Sequence, residues 1–307
     1  MELRQLRAFL QVANTRHFGQ AAVVLKITQP ALTQRIQALE RELGVQLLTR
    51  SAREVRLTAA GEVLLPYADT LVHVEDRALR DLADNVAGRT GTIRIAYLLH
   101  GDVGLQGRIV AEFRRRYPKV DVETGEADSI VNMELLRSGA VDVAFLGPVQ
   151  VPAEIAARTI GLGALMLAVP REHPLAKSDR VPVSSLRGVP MIIWPQAWNP
   201  IGSSAFIQWL ARHTGAEPNI TAQEPPDQAL AALSANGSAV TFVSAWRASS
   251  SDMAGVAFRP IVPELLIRHL IAQRRDDPSP LLPHLMQIAE EIAGPSAATV
   301  SKDAELL

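Results

Sequence analysis

The chain has 307 residues, about twice a typical domain length, which argues for two domains with substantial cores. Its 48% hydrophobic and 21% charged content excludes wholesale disorder. The absence of cysteine excludes disulfides, thiolate metal sites and thiol nucleophiles, and suits a reducing cytosol.

The formal net charge of −1 hides an asymmetry. Residues 1–60 carry nine basic and four acidic side chains, a net of +5, whereas 61–90 and 91–307 each sum to −3. A small basic head on a mildly acidic body suits a polyanion. Glu2, Arg4 and Arg7 interrupt the apolar run that a signal peptide would need. The uncharged segments 188–211 and 228–246 are broken by Pro190, Pro195, Pro200, Asn236 and Gly237, so neither reads as a membrane span. The expectation is a cytoplasmic protein without a membrane partner.

Leu3, Leu6, Phe9, Leu10 and Ala13 recur at helical spacing and predict a first helix with one buried stripe. Gly19 precedes a short second helix carrying Ala21, Ala22 and Leu25. Thr28 is a suitable N-cap for a third helix, Pro30 suits its first turn, and Gly44 ends it. Leu32, Ile36, Leu39 and Leu43 form the apolar stripe of that helix. Pro30, Thr33, Gln34, Gln37 and Arg41 lie on the other side, with Thr28 and Gln29 at its start. Hydroxyl and amide side chains both donate to and accept from base edges, so this face suits a DNA major groove. Residues 45–48 and 55–57 predict two short strands joined by 51–54. Arg50, Arg53 and Arg56 on this wing are placed for phosphates, contacts that position a protein without reading sequence.

Helix, helix, capped helix and two-stranded wing make a winged helix-turn-helix, all-α with a β wing. The stretch AAVVLKITQPALTQRIQALERELGVQLLTRSAREVRLTAAGE resembles the signature of LysR-type transcriptional regulators. The resemblance extends from Met1 to about Val86. Gln34 and Arg35 stand where many relatives carry arginine followed by glutamine.

Thr58 caps a long helix in which Leu64, Tyr67, Leu71, Val74, Ala78 and Leu82 form a heptad-like seam, read as a dimerisation face. A linker follows at 88–91. Beyond it, strand-like and helical segments alternate: strands near 93–96, 120–123, 141–146, 191–194, 220–222, 239–243 and 265–272, and helices near 103–117, 130–137, 204–213, 228–235 and 281–292. That rhythm predicts a parallel α/β sheet. The resemblance implies a two-lobed, periplasmic-binding-protein-like effector domain. The expected division is 1–58 for DNA, 59–90 for the dimerisation helix and hinge, and 91–293 for the effector. Lobe I takes about 91–162 and 268–293, lobe II about 163–267, and 294–307 is a disordered tail.

In open α/β lobes the loops at strand C-termini face the ligand. They supply Leu99, His100, Ser129, Phe145, Gly147, Asn199, Pro200, Ile201, Gly202 and Ser203 as candidate effector contacts. Ser129 and Ser203 also read as helix N-caps. The WP…NP run resembles the branch of the family that senses muconates and benzoate, although Leu99 or His100 replaces a common serine and Gly147 an occasional arginine. The implied effector is small and partly apolar, an aromatic or a small organic acid. The resemblance further implies a dimer of dimers on promoter DNA and contact with RNA polymerase.

The histidines are scattered at 17, 73, 100, 173, 213, 269 and 284 without HExxH spacing, so no metal site is expected. Residues 202–204 lack a nucleophile elbow, and 161–163 lack the third glycine of a dinucleotide loop. No catalytic set and no cofactor is predicted. Two other readings stay open at this point: a solute-binding protein without DNA function, and an enzyme with a fused DNA-binding head.

Overall fold

The structure, a computed structural model, describes residues 1–50, 55–86, 91–99, 101, 103–235, 238–294 and 304–306. Arg53 and His100 lie outside the described residues, as do residues 87–90, which include all of the expected linker but Gly91, and the side chain of Arg50. The chain divides into two units, one comprising Met1–Gly91 with Arg137–Ala140 and one comprising Thr92–Leu136 and Val141–Leu307.

The first unit opens with α1 (Leu3–Thr15), α2 (Phe18–Val24) and α3 (Gln29–Leu43). Leu6, Phe9 and Val12 of α1 meet Ala21 and Ala22 of α2 and Leu32, Ile36 and Leu39 of α3 in one buried cluster. The α2–α3 turn is made at Lys26, whose φ of 54° is unusual for a residue with a side chain. The wing strands β1 (Leu48–Arg50) and β2 (Val55–Leu57) pair antiparallel, with Leu48 opposite Leu57. β1 starts three residues later than the sequence suggests, because Leu47 is drawn into the core. Glu40 Oε1 also accepts hydrogen bonds from the backbone N–H groups of Leu47 (2.9 Å) and Leu48 (3.2 Å).

Thr58 caps α4 (Ala59–Val86), accepting from Gly61 N at 3.0 Å. Ala68 and Val72 of α4 are buried against the helical cluster. Arg7 of α1 donates to Glu75 (3.0 Å) and Asp76 (3.2 Å) on the same helix. Hydrogen bonding to Asp76, more than any other contact, raises the Arg7 pKa above its ordinary value. One of the nine head cations is therefore committed to α4.

The second unit runs β3 (Thr92–Leu98), α5 (Val103–Arg116), β4 (Asp121–Ala127), α6 (Ser129–Ser138), β5 (Val143–Leu146) and β6 (Ile155–Pro170). Then come β7 (Val181–Pro182), β8 (Met191–Ile193), α7 (Pro200–Thr214), β9 (Ile220–Gln223), α8 (Pro226–Ser234), β10 (Val240–Ser244) and α9 (Ala245–Ser250). The chain returns through β11 (Val256–Val262), β12 (Glu264–Arg274), α10 (Leu282–Ala293) and β13 (Ala304–Leu306).

The strand order is β4-β3-β5-β12-β6-β10-β8-β9. β4, β3 and β5 are mutually parallel in one lobe, and β10, β8 and β9 in the other. The long strands β6 and β12 pair antiparallel with each other and with their lobe neighbours, and join the two lobes. This corrects the all-parallel expectation. β6 and β11 have no counterpart among the expected strands, because their burial does not alternate cleanly. Helices cover both faces of each lobe, as the separate apolar clusters around α5 and α10, α6, α7 and α8 show.

Part of the expected disordered tail is a strand. β13 pairs parallel with Glu264–Leu266, and Glu305 accepts from Trp209 Nε1 at 3.1 Å and lies 2.9 Å from His213 Nε2. Residues 295–303 and 307 lie outside the described residues.

Candidate functional site

Two surfaces carry the candidate residues. The first belongs to α3. Its stripe of Leu32, Ile36 and Leu39 is fully buried, which fixes the opposite side outward. Gln34, Gln37 and Arg41 are exposed there, as are Thr28, Gln29 and Pro30 at the helix start, while Thr33 is half-buried. Thr28 is the N-cap and accepts from Ala31 N at 3.4 Å. Arg56 is exposed on β2, and its carbonyl accepts from Thr49 Oγ1.

α4 presents the expected seam in part. Tyr67, Val74 and Leu82 are 66%, 55% and 64% exposed, and Leu71 and Ala78 are exposed between them. Leu64 instead packs half-buried against the head core. Val63 and Leu79 widen the apolar face.

The second surface is a cavity of ≈ 160 Å³ inside the second unit. One side is the end of β3 (Leu98, Leu99), the start of α6 (Asp128, Ser129) and the loop after β5 (Gly147, Pro148). The other is Trp194 after β8, Trp198, Asn199 and Gly202 at α7, and Phe242, Val243 and Ser244 of β10. Gly163 and Leu165 of β6 and Ile267 and His269 of β12 complete it. These positions sit where strand ends of open α/β lobes place ligands.

Most polar groups here are already paired. Asp128 Oδ1 accepts from Ile130 N (2.9 Å) and Val131 N (3.0 Å), so Asp128, rather than Ser129, caps α6. Ser129 Oγ accepts from Gly147 N at 3.0 Å. Asn199 Oδ1 accepts from Gly202 N (2.9 Å), and its Nδ2 donates to the carbonyl of Pro148 (2.6 Å) in the opposite lobe. Trp194 Nε1 donates to Ser203 Oγ at 2.9 Å. The cavity therefore offers mainly aromatic and aliphatic walls. His269 lies so close to Gly163 that a Cβ there would come within 2.4 Å of its Nε2, so glycine leaves the imidazole its place.

Of the sequence candidates, Leu99, Ser129, Gly147, Asn199 and Gly202 line this cavity. Phe145 does not: it is buried in the lobe core, stacked on Tyr97 at 5.8 Å. Ser203 is buried behind Trp194, inside α7 rather than capping it, since α7 begins at Pro200 under an Asn199 cap. Pro200 does not line the cavity, and Ile201 faces outward at 57% exposure. Trp194, Phe242, Gly163 and His269 escaped the sequence reading because they lie in or directly beside strands, whereas the candidates were drawn from the loops at strand ends. Asn132, also missed, donates its Nδ2 to the carbonyls of Tyr97, Ala127 and Phe145, tying three strand ends beside the cavity.

Among the described residues no group of three or more His, Asp or Glu side chains could hold a metal ion. No helix there is long and apolar enough to cross a membrane.

Comparison with known proteins gives these surfaces their context. Residues 3–62 match the family model "Bacterial regulatory helix-turn-helix protein, lysR family", and residues 87–293 match "LysR substrate binding domain". The chain belongs to the LysR family of transcriptional regulators. This regulator is 32% identical to AlsR of Bacillus subtilis over 94% of its own length and 95% of that protein. It is 30% identical to BenM of Acinetobacter baylyi, covering 95% and 96% of the two chains. Full-length CbnR in complex with its target DNA superposes with a TM-score of 0.71 at 26% identity, over 95% of this chain and 100% of that one. It is thus a DNA-binding transcriptional regulator, with an N-terminal helix-turn-helix domain and a C-terminal two-lobed substrate-binding domain.

Proposed function

We propose that this LysR-family regulator reads promoter DNA by inserting the N-terminal half of α3 into the major groove. Thr28, Gln29, Pro30, Thr33, Gln34 and Gln37 face the bases, and Arg50, Arg53 and Arg56 of the wing meet phosphates. The α4 seam pairs two heads, and two such dimers assemble on one promoter. Residues 91–293 sense an effector, lobe I being about 91–162 and 268–293 and lobe II about 163–267. The regulator works in the cytoplasm and transmits its state to RNA polymerase, without a catalytic step.

The observation that carries the effector half is the cavity at the strand ends, walled by Trp194, Trp198 and Phe242 and bridged between lobes by Asn199 and Pro148. Such walls favour a small, partly apolar effector, consistent with the muconate- and benzoate-responsive branch. Binding acts only through its different affinity for two arrangements of the assembly.

Titrating the full chain with aromatic acids and neutral aromatics tests this. A binder is expected to quench the fluorescence of Trp194 and Trp198. It should also change DNA affinity by about 5-fold or more, the scale of ordinary allosteric coupling. The reading fails if only large sugars or nucleotides bind, or if the whole panel leaves both signals unchanged.

A further inference from the structure

A second cavity lies on the other face of the two strands that join the lobes. At ≈ 730 Å³ it is larger than the first. Along β12 the two cavities take alternate residues: Ile267 and His269 line the first, Arg268 and Leu270 the second. On β6 the first takes Gly163 and Leu165 and the second takes Ile155, Ala157 and Thr159, all odd-numbered. The register slip opposite His269 and Leu270 accounts for this, since one extra residue turns the rest of a strand over.

The walls of the second cavity are apolar: Val149, Val151, Pro152, Ile155, Ile201 and Leu270. Its charged lining residues are Arg268 and Arg275, with no carboxylate among the described lining residues. The Arg275 guanidinium is oriented by its Nε donating to the carbonyl of Ala153 at 2.6 Å. Arg268 is exposed and makes no ion pair with another described residue. By contrast, the first cavity is lined by the carboxylate Asp128 and by no arginine or lysine among the described residues. Gln150 and Thr159 add an amide and a hydroxyl to the second cavity.

We infer that this second cavity is a binding site for a small monocarboxylate with an apolar body, its carboxylate held by Arg268 and Arg275. An apolar wall with two cations and no competing anion matches that ligand in both parts, and arginine is the side chain best shaped to grip a carboxylate. Pro148 and Gly202 line both cavities, so a ligand here lies against the back of the Asn199–Pro148 bridge. The site is separate from the effector cavity of the proposed function.

Calorimetry on the full chain tests the assignment, with benzoate and 3-methylbutanoate as probes, each beside its neutral amide. The acids are expected to bind in the micromolar to millimolar range and the amides at least about tenfold more weakly. Arg268→Gln, an exposed change, should weaken the acids by about tenfold. Ala205→Phe, which fills the groove from the exposed side of α7 without adding a tryptophan, should abolish their binding there. Neither variant should alter quenching of Trp194 and Trp198 by a ligand of the first cavity, so failure of one site is read separately from failure of the other. Acids that do not bind, amides that bind as tightly as acids, or acid binding unchanged in both variants would overturn the assignment.

Discussion

Leu71→Glu, alone or with Val74→Glu, is expected to leave the head folded and to turn the regulator into a species that cannot pair through α4. Both side chains are exposed and neither belongs to the buried cluster that holds Ala68 and Val72, so the substitutions remove no core residue. In a paired seam each glutamate would be buried against an apolar partner, a cost that ionised carboxylates do not meet without compensation. Linking two heads makes the second half-site contact intramolecular, and losing that linkage is expected to weaken binding to two-half-site DNA by about 100-fold or more. Affinity for an isolated half-site should stay the same. Sedimentation and a mobility-shift titration check both parts. A variant that still sediments as the wild type would show that the seam lies elsewhere.

Gly61→Ala is the second large effect. A Cβ at this position would lie 2.2 Å from the carbonyl oxygen of Leu47. That oxygen cannot retreat freely, because it accepts the Thr58 N–H at 2.9 Å, and Thr58 Oγ1 donates to the carbonyl of Gln46 at 2.6 Å. Alanine favours helix by about 1 kcal/mol over glycine. The backbone clash outweighs this, and a net loss of about 2 kcal/mol is expected for the head. Since α4 and the wing must move apart, DNA affinity should fall with stability. Thermal melting together with DNA titration measures the pair. A melting point equal to or above that of the wild type would contradict this account of the α4–wing junction.

The head was more legible than the cleft, for physical reasons. Thr28, Pro30 and Gly44 mark the ends of α3 with residues whose backbone or side chain suits only those positions, and the structure ends the helix there. By contrast, the turn before α3 rests on Lys26, which carries no glycine signal. The wing started late because the Glu40 side chain, reaching from α3, holds the backbone at Leu47 and Leu48. In the second unit, Ser129, Gly147 and Asn199 were found because they follow strands or open helices. Gly163 and His269 could not be found that way. They sit within β6 and β12, whose antiparallel pairing depends on residues about a hundred positions apart. Ser203 misled because its hydroxyl is taken by Trp194, a pairing that only the fold creates.

The central claim is that the exposed amide and hydroxyl side of α3 reads base edges, and Gln34→Ala tests it most directly. Competition titrations would compare a duplex selected from a random pool with a scrambled duplex of the same length, at one fixed salt concentration. Gln34 is exposed and outside the core, so its loss leaves the helix in place. The account predicts a loss of about 1–3 kcal/mol on the selected duplex and almost none on the scrambled one. An equal loss on both, or none on either, would contradict it.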